Sequence, residues 1–412
     1  MIVVAKAWPV QGFAVAILSA SGKPSATTLG MSLITTTDDL AAFCTRMAAA
    51  DYIAIDTEFM REHTFWPKLC LVQIAGLNEA VAIDPLAPGI DLGPLFALVN
   101  DPGVLKVFHS ARQDVEIFVH LTGQVPKPLF DTQVAAMVCG FGDSVSYENL
   151  VGKLANARID KSSRFTDWSH RPLTERQIDY ALADVIHLRP AYEALRQQLT
   201  KSDREGWLDE EMAILCDPAT YRTEPDQAWL RLKPRNASPK FLAILREVAA
   251  WREREAHKRD IPRGRILKDE ALLEIAAHSP HDIEAMARVR GMSRNMAEGW
   301  QGQGLITAVE RGLATPPDEV PKLAQRPPTP PGIAPLVELM RVLLKMKCED
   351  EGVAQKLVAG SDDLEAIAMD DDADVPALNG WRRAMFGEDA LALKRGRIAL
   401  AVKGRRIRVV PL

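Results

Sequence analysis

The residues that alternate in strand fashion all fall early in the chain, and this restricts the fold more than any other feature. Tyr52 to Phe59 alternates with a period of two, and Leu69 to Ala75 and Ala80 to Ile83 are apolar runs of strand length. Gly76-Leu77-Asn78, between the last two, can turn. The three make a meander, and Leu105 to Phe108 reads as a further strand. Helical patterns surround them: an N-capped start at Asp38-Asp39, Leu92 to Val99, Gln113 to Leu121, Phe130 to Val138 as mainly helix, and Tyr147 to Ala155. Thr174 to Leu199 is a long helix in which Thr174 and Gln177 have capping-box spacing. This order predicts an α/β domain, a mixed sheet with an antiparallel part, flanked by helices.

Beyond Cys216 the strand patterns stop. Pro239 to Lys258 is amphipathic and helical, with shorter helices at Asp269 to Ala277, Asp282 to Ala287 and Asn295 to Gly312. Residues 315–332 contain seven prolines, the composition of a semi-rigid linker. The last module, 333–412, has helical patterning again, with its acid run (Asp362-Asp363, Asp370-Asp371-Asp372, Asp374) expected in a loop. A chain of 412 residues exceeds one ordinary domain.

The net charge of −5 conceals an asymmetry. Arg231 to Arg311 carries sixteen Lys/Arg against eleven Asp/Glu, and Ala390 to Leu412 carries seven Lys/Arg and no acid. A basic rear behind an acidic front fits a protein that grips phosphate with one part and binds metal with another. Solvated helix faces laced with ion pairs would give similar counts. The five cysteines are scattered with no Cys-x-x-Cys pair, which argues against a disulfide framework or zinc and fits the reducing cytoplasm. No apolar run approaches the ~20 residues of a membrane span. Gly12 to Ala20 faintly imitates a signal peptide, but Met31 opens a polar stretch where the folded domain begins. Residues 1–30 are therefore read as a loose extension or a misassigned start.

Three short elements carry acids in a chemically suggestive order. Asp56 and Glu58 are two apart in a strand, so both leave one face while Ile53 and Ile55 leave the other into the core. Adjacent carboxylates repel, and a cation resolves the repulsion, although an acidic pair facing solvent is the ordinary outcome for an isolated Asp-x-Glu. In Lys106-Val107-Phe108-His109-Ser110-Ala111-Arg112-Gln113-Asp114 a strand ends near His109, and Asp114 falls in the first turn of the next helix. There it either complements the helix dipole or reaches the rim beside Asp56. Tyr180 and Asp184 stand at i and i+4, about 40° apart on one helix face, with Ile178, Leu182 and Ile186 on roughly the opposite side.

Taken together, these elements resemble the three exonuclease motifs of the DEDD family, in the subclass with a tyrosine in the third motif. Asp56-Thr57-Glu58-Phe59-Met60-Arg61-Glu62, continuing through Pro67 to Ile74, is similar to ribonuclease D in particular, and Phe130-Asp131-Thr132-Gln133 matches that family's surroundings. Leu232-Lys233-Pro234-Arg235 and the helices to about Gly312 resemble the helicase-and-RNase-D C-terminal (HRDC) domain, a small helical bundle. The resemblance implies a ribonuclease H-like nuclease domain over 31–217, an HRDC domain over 218–314, a proline-rich linker over 315–332, and a second, diverged HRDC-like domain over 333–412.

What it implies chemically is hydrolysis of RNA from the 3' end to 5'-mononucleotides, with precursor tRNA 3' ends as substrate. Carboxylate oxygens suit Mg²⁺ or Mn²⁺, and in such sites two ions sit about 3.5–4 Å apart. By the family's pattern Asp56 bridges both ions, Glu58 and Asp184 complete the position that activates water, Asp114 serves the other ion, and Tyr180 orients the water or accepts its proton. His63, Phe65, His109 and Arg112 are candidate substrate contacts near the site, as is the segment from Asp167 to Arg171. Arg252, Lys258 and Arg263 belong to a basic tract from Arg246 to Lys268 that would hold the RNA backbone. Asp131 is expected to cap a helix. No obligate protein partner is evident, and a monomer is expected. The rival readings are a DNA exonuclease of the same superfamily and a catalytically inactive RNA-binding scaffold.

Overall fold

The computed structural model describes residues 30–159, 166–234, 238–323 and 330–412. The expected loose extension therefore lies outside the described residues except for Gly30, and so does the middle of the proline-rich linker. A six-stranded sheet, in the order β1-β4-β3-β2-β5-β6, organises the front of the chain. Its strands are β1 (Gly30–Ile34), β2 (Tyr52–Met60), β3 (Lys68–Ala75), β4 (Glu79–Ile83), β5 (Leu105–Phe108) and β6 (Leu129–Asp131). The β2-β3-β4 meander is antiparallel, whereas β1 joins β4 in parallel and β5 and β6 extend the other edge in parallel.

Two of these strands correct the sequence reading. No strand was expected at Gly30–Ile34, where five residues carry little alternation but gain a full parallel ladder along β4. Phe130 was expected in a helix. Instead Leu129–Asp131 adds to the sheet edge beside β5, and Asp131 then caps α4 (Thr132–Val138) by accepting from Gln133 N.

The sheet is covered on both faces. On one, α1 (Thr37–Met47), α2 (Gly93–Val99) and α3 (Arg112–Thr122) bury Leu40, Phe43, Leu95, Leu98, Ile117 and Phe118 against Ile53, Ile55, Val72 and Ile74. On the other, after α5 (Tyr147–Leu154), the long α6 (Glu175–Ser202) lays Leu182, Val185 and Leu188 over Ala54, Leu71 and Ala82. Each such large aliphatic side chain contributes about 1.5–3 kcal/mol by leaving water. The capping box on α6 is present as expected, with Thr174 and Gln177 bonding reciprocally.

The rear is helical but not without strands. After α7 (Asp209–Cys216), α8 (Pro239–Arg259), α9 (Arg263–Ile266), α10 (Asp269–His278), α11 (Ile283–Ala287), α12 (Arg294–Glu298) and α13 (Trp300–Leu313) form a bundle with its own core. Phe65, from the nuclease side, is buried within that core. The last module contains α14 (Ile333–Glu351), α15 (Gln355–Val358), α16 (Ser361–Met369), α17 (Gly380–Arg382), a single π turn and α18 (Glu388–Lys394). Its core is continuous with Ala135, Ala136, Leu195 and Leu199 of the front domain. Asp362 and Asp363 occupy the first turn of α16 rather than a loop, where acids complement the helix dipole. The chain then makes an antiparallel hairpin, β7 (Ile398–Lys403) and β8 (Arg406–Pro411). This corrects the expectation that strands end at Cys216.

Candidate active site

The site forms where β2 outruns its neighbour. β2 pairs with β5 only over Tyr52–Ala54, while its pairing with β3 continues to Met60. Asp56 and Glu58 therefore stand past the end of β5, on the face that α6 covers. A register shift at Glu58/Phe59 disturbs the ladder beside them, as irregularities at functional rims commonly do. From α6, Asp184 comes down onto the same place, so that ligand oxygens of Asp56, Glu58 and Asp184 all lie within 4.8 Å of one another. Tyr180, one turn earlier, hydrogen-bonds the Asp184 carboxylate.

Asp114 arrives from the opposite face of the sheet. It sits in the first turn of α3, is 7% exposed, and accepts a short hydrogen bond from the Thr57 hydroxyl. It lies outside the three-residue cluster but is close enough to Asp56 and Glu58 for each charge to be felt. The turn that delivers it is tightly held. Ser110 adopts a left-handed φ of 63°, and the Asp131 carboxylate accepts from Ser110 N at 2.9 Å and Ala111 N at 2.8 Å. Asp131 thus caps its helix as expected and also fixes the start of α3.

Burial acts on all four acids, and the charge of Asp56 acts on the other three. Burial pushes Asp56 up to about 6. Burial, then the charges of Asp56, Asp184 and Asp114, push Glu58 up to about 9. Burial and the Asp56 charge push Asp184 up to about 8, partly opposed by the Tyr180 hydrogen bond, and Asp114 is raised well above the ordinary carboxylate range by burial and then Asp56. Acids whose ionisation is suppressed by burial and by neighbouring charge are a donor set whose suppression a divalent cation reverses. Gln73 adds to the fit. It pairs across from Asp56 on the same face, is fully buried, and neither of its amide atoms has a protein partner.

A cavity of about 210 Å³ opens onto this cluster, lined by Asp56, His109, Tyr147, Tyr180 and Asp184 among others. His109 holds Thr132 Oγ1 through Nδ1 at 2.9 Å, and its buried Nε2 has no hydrogen-bond partner. Tyr147 anchors α6 by donating to the backbone carbonyl of Asp184. Thr57, Gln73 and Tyr147 were not singled out from sequence. Thr57 alone had a local signal, its place between the two acids.

The candidate substrate contacts divide. His63 is exposed and bonded to Arg265, and Arg112 is exposed beside a second cavity with Arg61, Arg231 and Arg263. Lys258 is exposed. Three candidates are engaged within the protein. Phe65 is 7% exposed in the core of the helical bundle, so its ring is not available for stacking on a base. Arg252 is 4% exposed and bonded to Leu267 O and Asp269. Arg263 chelates the buried Glu253 and lies over the Phe65 ring. The Asp167–Arg171 segment is structural too: Trp168 is buried and Arg171 forms a bidentate pair with Asp84.

Comparison with known proteins places this arrangement. Residues 31–200 match the family model for a 3'-5' exonuclease, and 241–309 match that for an HRDC domain. The chain is 52% identical to ribonuclease D of Gluconacetobacter diazotrophicus over 92% of its own length and 96% of that protein. It is 51% identical to ribonuclease D of Acidiphilium cryptum, over 95% of this chain and 100% of that protein. Among solved structures it superposes on Escherichia coli RNase D, described as an exoribonuclease involved in structured RNA processing. The TM-score is 0.76 at 29% identity, covering 89% of this chain and 99% of that one. With the acids of all three motifs gathered at one rim and relatives matching along nearly the whole length, the chain belongs to the ribonuclease D family.

Proposed function

We propose that this chain hydrolyses RNA from its free 3' end, releasing 5'-mononucleotides, and that the 3' ends of precursor tRNA are its substrate. The observation that carries the reading is the convergence of Asp56, Glu58 and Asp184 within 4.8 Å beside Tyr180, with Asp114 reaching in from the other face. These carboxylates hold divalent cations. A donor set of hard oxygens suits Mg²⁺ or Mn²⁺. Asp56, Glu58 and Asp184 would hold one cation, and Asp56 with Asp114 would hold a second. When bound, such cations acidify water and stabilise charge on the phosphate and the departing oxygen.

The chain's own residues supply position. Tyr180, tied to Asp184, orients water for in-line attack at phosphorus. The new P–O bond forms as the bond to the 3'-oxygen breaks; the attacking water gives up a proton to solvent, and the 3'-oxygen takes one up to leave as a hydroxyl. His109, in the cavity wall, would offer a ring nitrogen to the terminal nucleotide, and the exposed Arg112, His63 and Lys258 would contact phosphates. We read residues 333–412 as a second, diverged HRDC-like domain, helical to Lys394 and ending in the β7–β8 hairpin. We also read the chain as a monomer acting in the cytoplasm; among the described residues no helix is long and apolar enough to cross a membrane.

A tRNA transcript extended at its 3' end, incubated with Mg²⁺ and with EDTA beside a DNA strand of the same extension sequence, tests the reading. Stepwise shortening of the RNA to mononucleotides, abolished by EDTA, is the expected outcome. Preferential shortening of the DNA would turn the assignment toward a DNA exonuclease, and no shortening of either would favour an inactive scaffold.

A further inference from the structure

The basic tract from Arg246 to Lys268 spends much of its charge internally. Arg246 pairs with Glu247, Arg252 with Asp269, Arg254 with Asp226, Arg259 with Glu255 and Arg263 with Glu253. The β7–β8 hairpin is different. Its register turns Ile398, Leu400 and Val402 to one face with Pro411, Val409 and Ile407. The other face carries Ala399, Ala401 and Lys403 with Val410, Arg408 and Arg406, and Gly404-Arg405 makes the turn. On the apolar face Ile398, Leu400 and Val409 pack against the core that the last module shares with the front domain. On the other, Lys403, Arg405, Arg406 and Arg408 are exposed, and none of them forms an ion pair among the described residues. Asp371 is taken by Lys394 and Arg395 at the hairpin's base.

A cationic face on a ribbon anchored by its opposite face is pre-oriented for a polyanion. Arg406 and Arg408 recur about 6.8 Å apart along one strand. Beside them, Ala399 and Ala401 are small enough to let a backbone approach closely. The hairpin carries no aromatic side chain on which a base could stack. We propose that Lys403, Arg405, Arg406 and Arg408 form a docking surface for the phosphate backbone of the RNA substrate, upstream of its reacting 3' end and independent of sequence. The inference rests on the exoribonuclease reading for its ligand.

The test uses the full chain carrying Lys403→Gln, Arg405→Gln, Arg406→Gln and Arg408→Gln together, side chains whose exposure leaves the fold unburdened. Two substrates are compared, the 3'-extended tRNA transcript and a four-nucleotide RNA. For the transcript, KM should rise at least about ten-fold near physiological salt with kcat unchanged. The slope of log affinity against log salt should fall by about 3, near 0.7–0.9 for each of four lost phosphate contacts. Hydrolysis of the four-nucleotide RNA should stay within about two-fold of wild type. An unchanged KM and salt slope for the transcript would overturn the proposal while leaving the nuclease reading intact. Binding of wild type to phosphatidylglycerol vesicles, lost in the variant with transcript affinity unaltered, would reassign the surface to a membrane. Failure of the wild type to cut either RNA would instead remove the exoribonuclease premise.

Discussion

At the scale of single residues, the site is a cluster of acids held against their own charge. Glu58 is pushed up to about 9 and Asp184 to about 8. Between their ordinary values near 4 and these raised values, the folded metal-free protein binds more protons than the unfolded chain. Stability then falls as pH rises through that interval. The contribution is fully present below about pH 4 and lost by about pH 9. Melting of the EDTA-treated protein should therefore decline from pH 5 to 9, and Mg²⁺ should raise Tm more at the upper end. A profile in EDTA that is flat or rises with pH would contradict this. Asp56→Asn should lower kcat by more than about a hundred-fold, since even partners one shell out cost about 10–100-fold. Thr57→Val, which removes the hydroxyl that donates to Asp114 and changes little volume, should fall within that 10–100-fold range of activity or metal affinity. Wild-type turnover by Thr57→Val would show that the hydrogen bond does not position Asp114.

At the scale of elements, the site depends on where three of them end or begin: β2 past β5, α3 at its first turn, and α6 across the sheet. Asp131 ties the start of α3 to that of α4 by accepting from Ser110 N, Ala111 N and Gln133 N. Asp131→Ala leaves those donors without their acceptor and should cost about 1–3 kcal/mol, read as a lower denaturant midpoint. Activity should drop with it because α3 is freed to shift. Unchanged activity at reduced stability would confine Asp131 to a capping role. Much of this was legible in sequence. The two-residue spacing of Asp56 and Glu58, the i,i+4 pairing of Tyr180 and Asp184 and the cap at Thr174 are local, and local periodicity decides them. The strands at Gly30–Ile34 and Leu129–Asp131 were not legible, because each is an edge whose conformation is settled by a distant partner. The roles of Gln73 and Tyr147 escaped for the same reason: one matters through a cross-strand neighbour, the other through a helix carbonyl more than thirty residues away.

At the scale of the whole molecule, the helical bundle is bound to the nuclease domain by the loop that follows the first acidic motif. Phe65 is buried in the bundle core, Asp260 accepts from Phe65 N and Trp66 N at 3.0 Å, and Trp66 stacks on His120 at 4.1 Å. Phe65→Ala should cost about 3–5 kcal/mol and expose the junction to limited proteolysis, whereas resistance equal to wild type would show the two parts held together elsewhere. At this joint Arg263 lies over the Phe65 ring, while Arg252 is bonded to Leu267 O and Asp269 inside the bundle. Composition cannot distinguish a side chain that faces a ligand from one that closes an interface. The account as a whole stands on the acids at the β2 rim being a divalent-cation site. Calorimetric titration of Mn²⁺ into the protein at pH 7, in buffers of different ionisation enthalpy, tests this most directly. Saturable binding with release of about one to two protons is predicted, since Glu58 and Asp184 must give theirs up, and it should be lost in Asp56→Asn. Absence of binding, or binding that survives Asp56→Asn unchanged, would contradict the account.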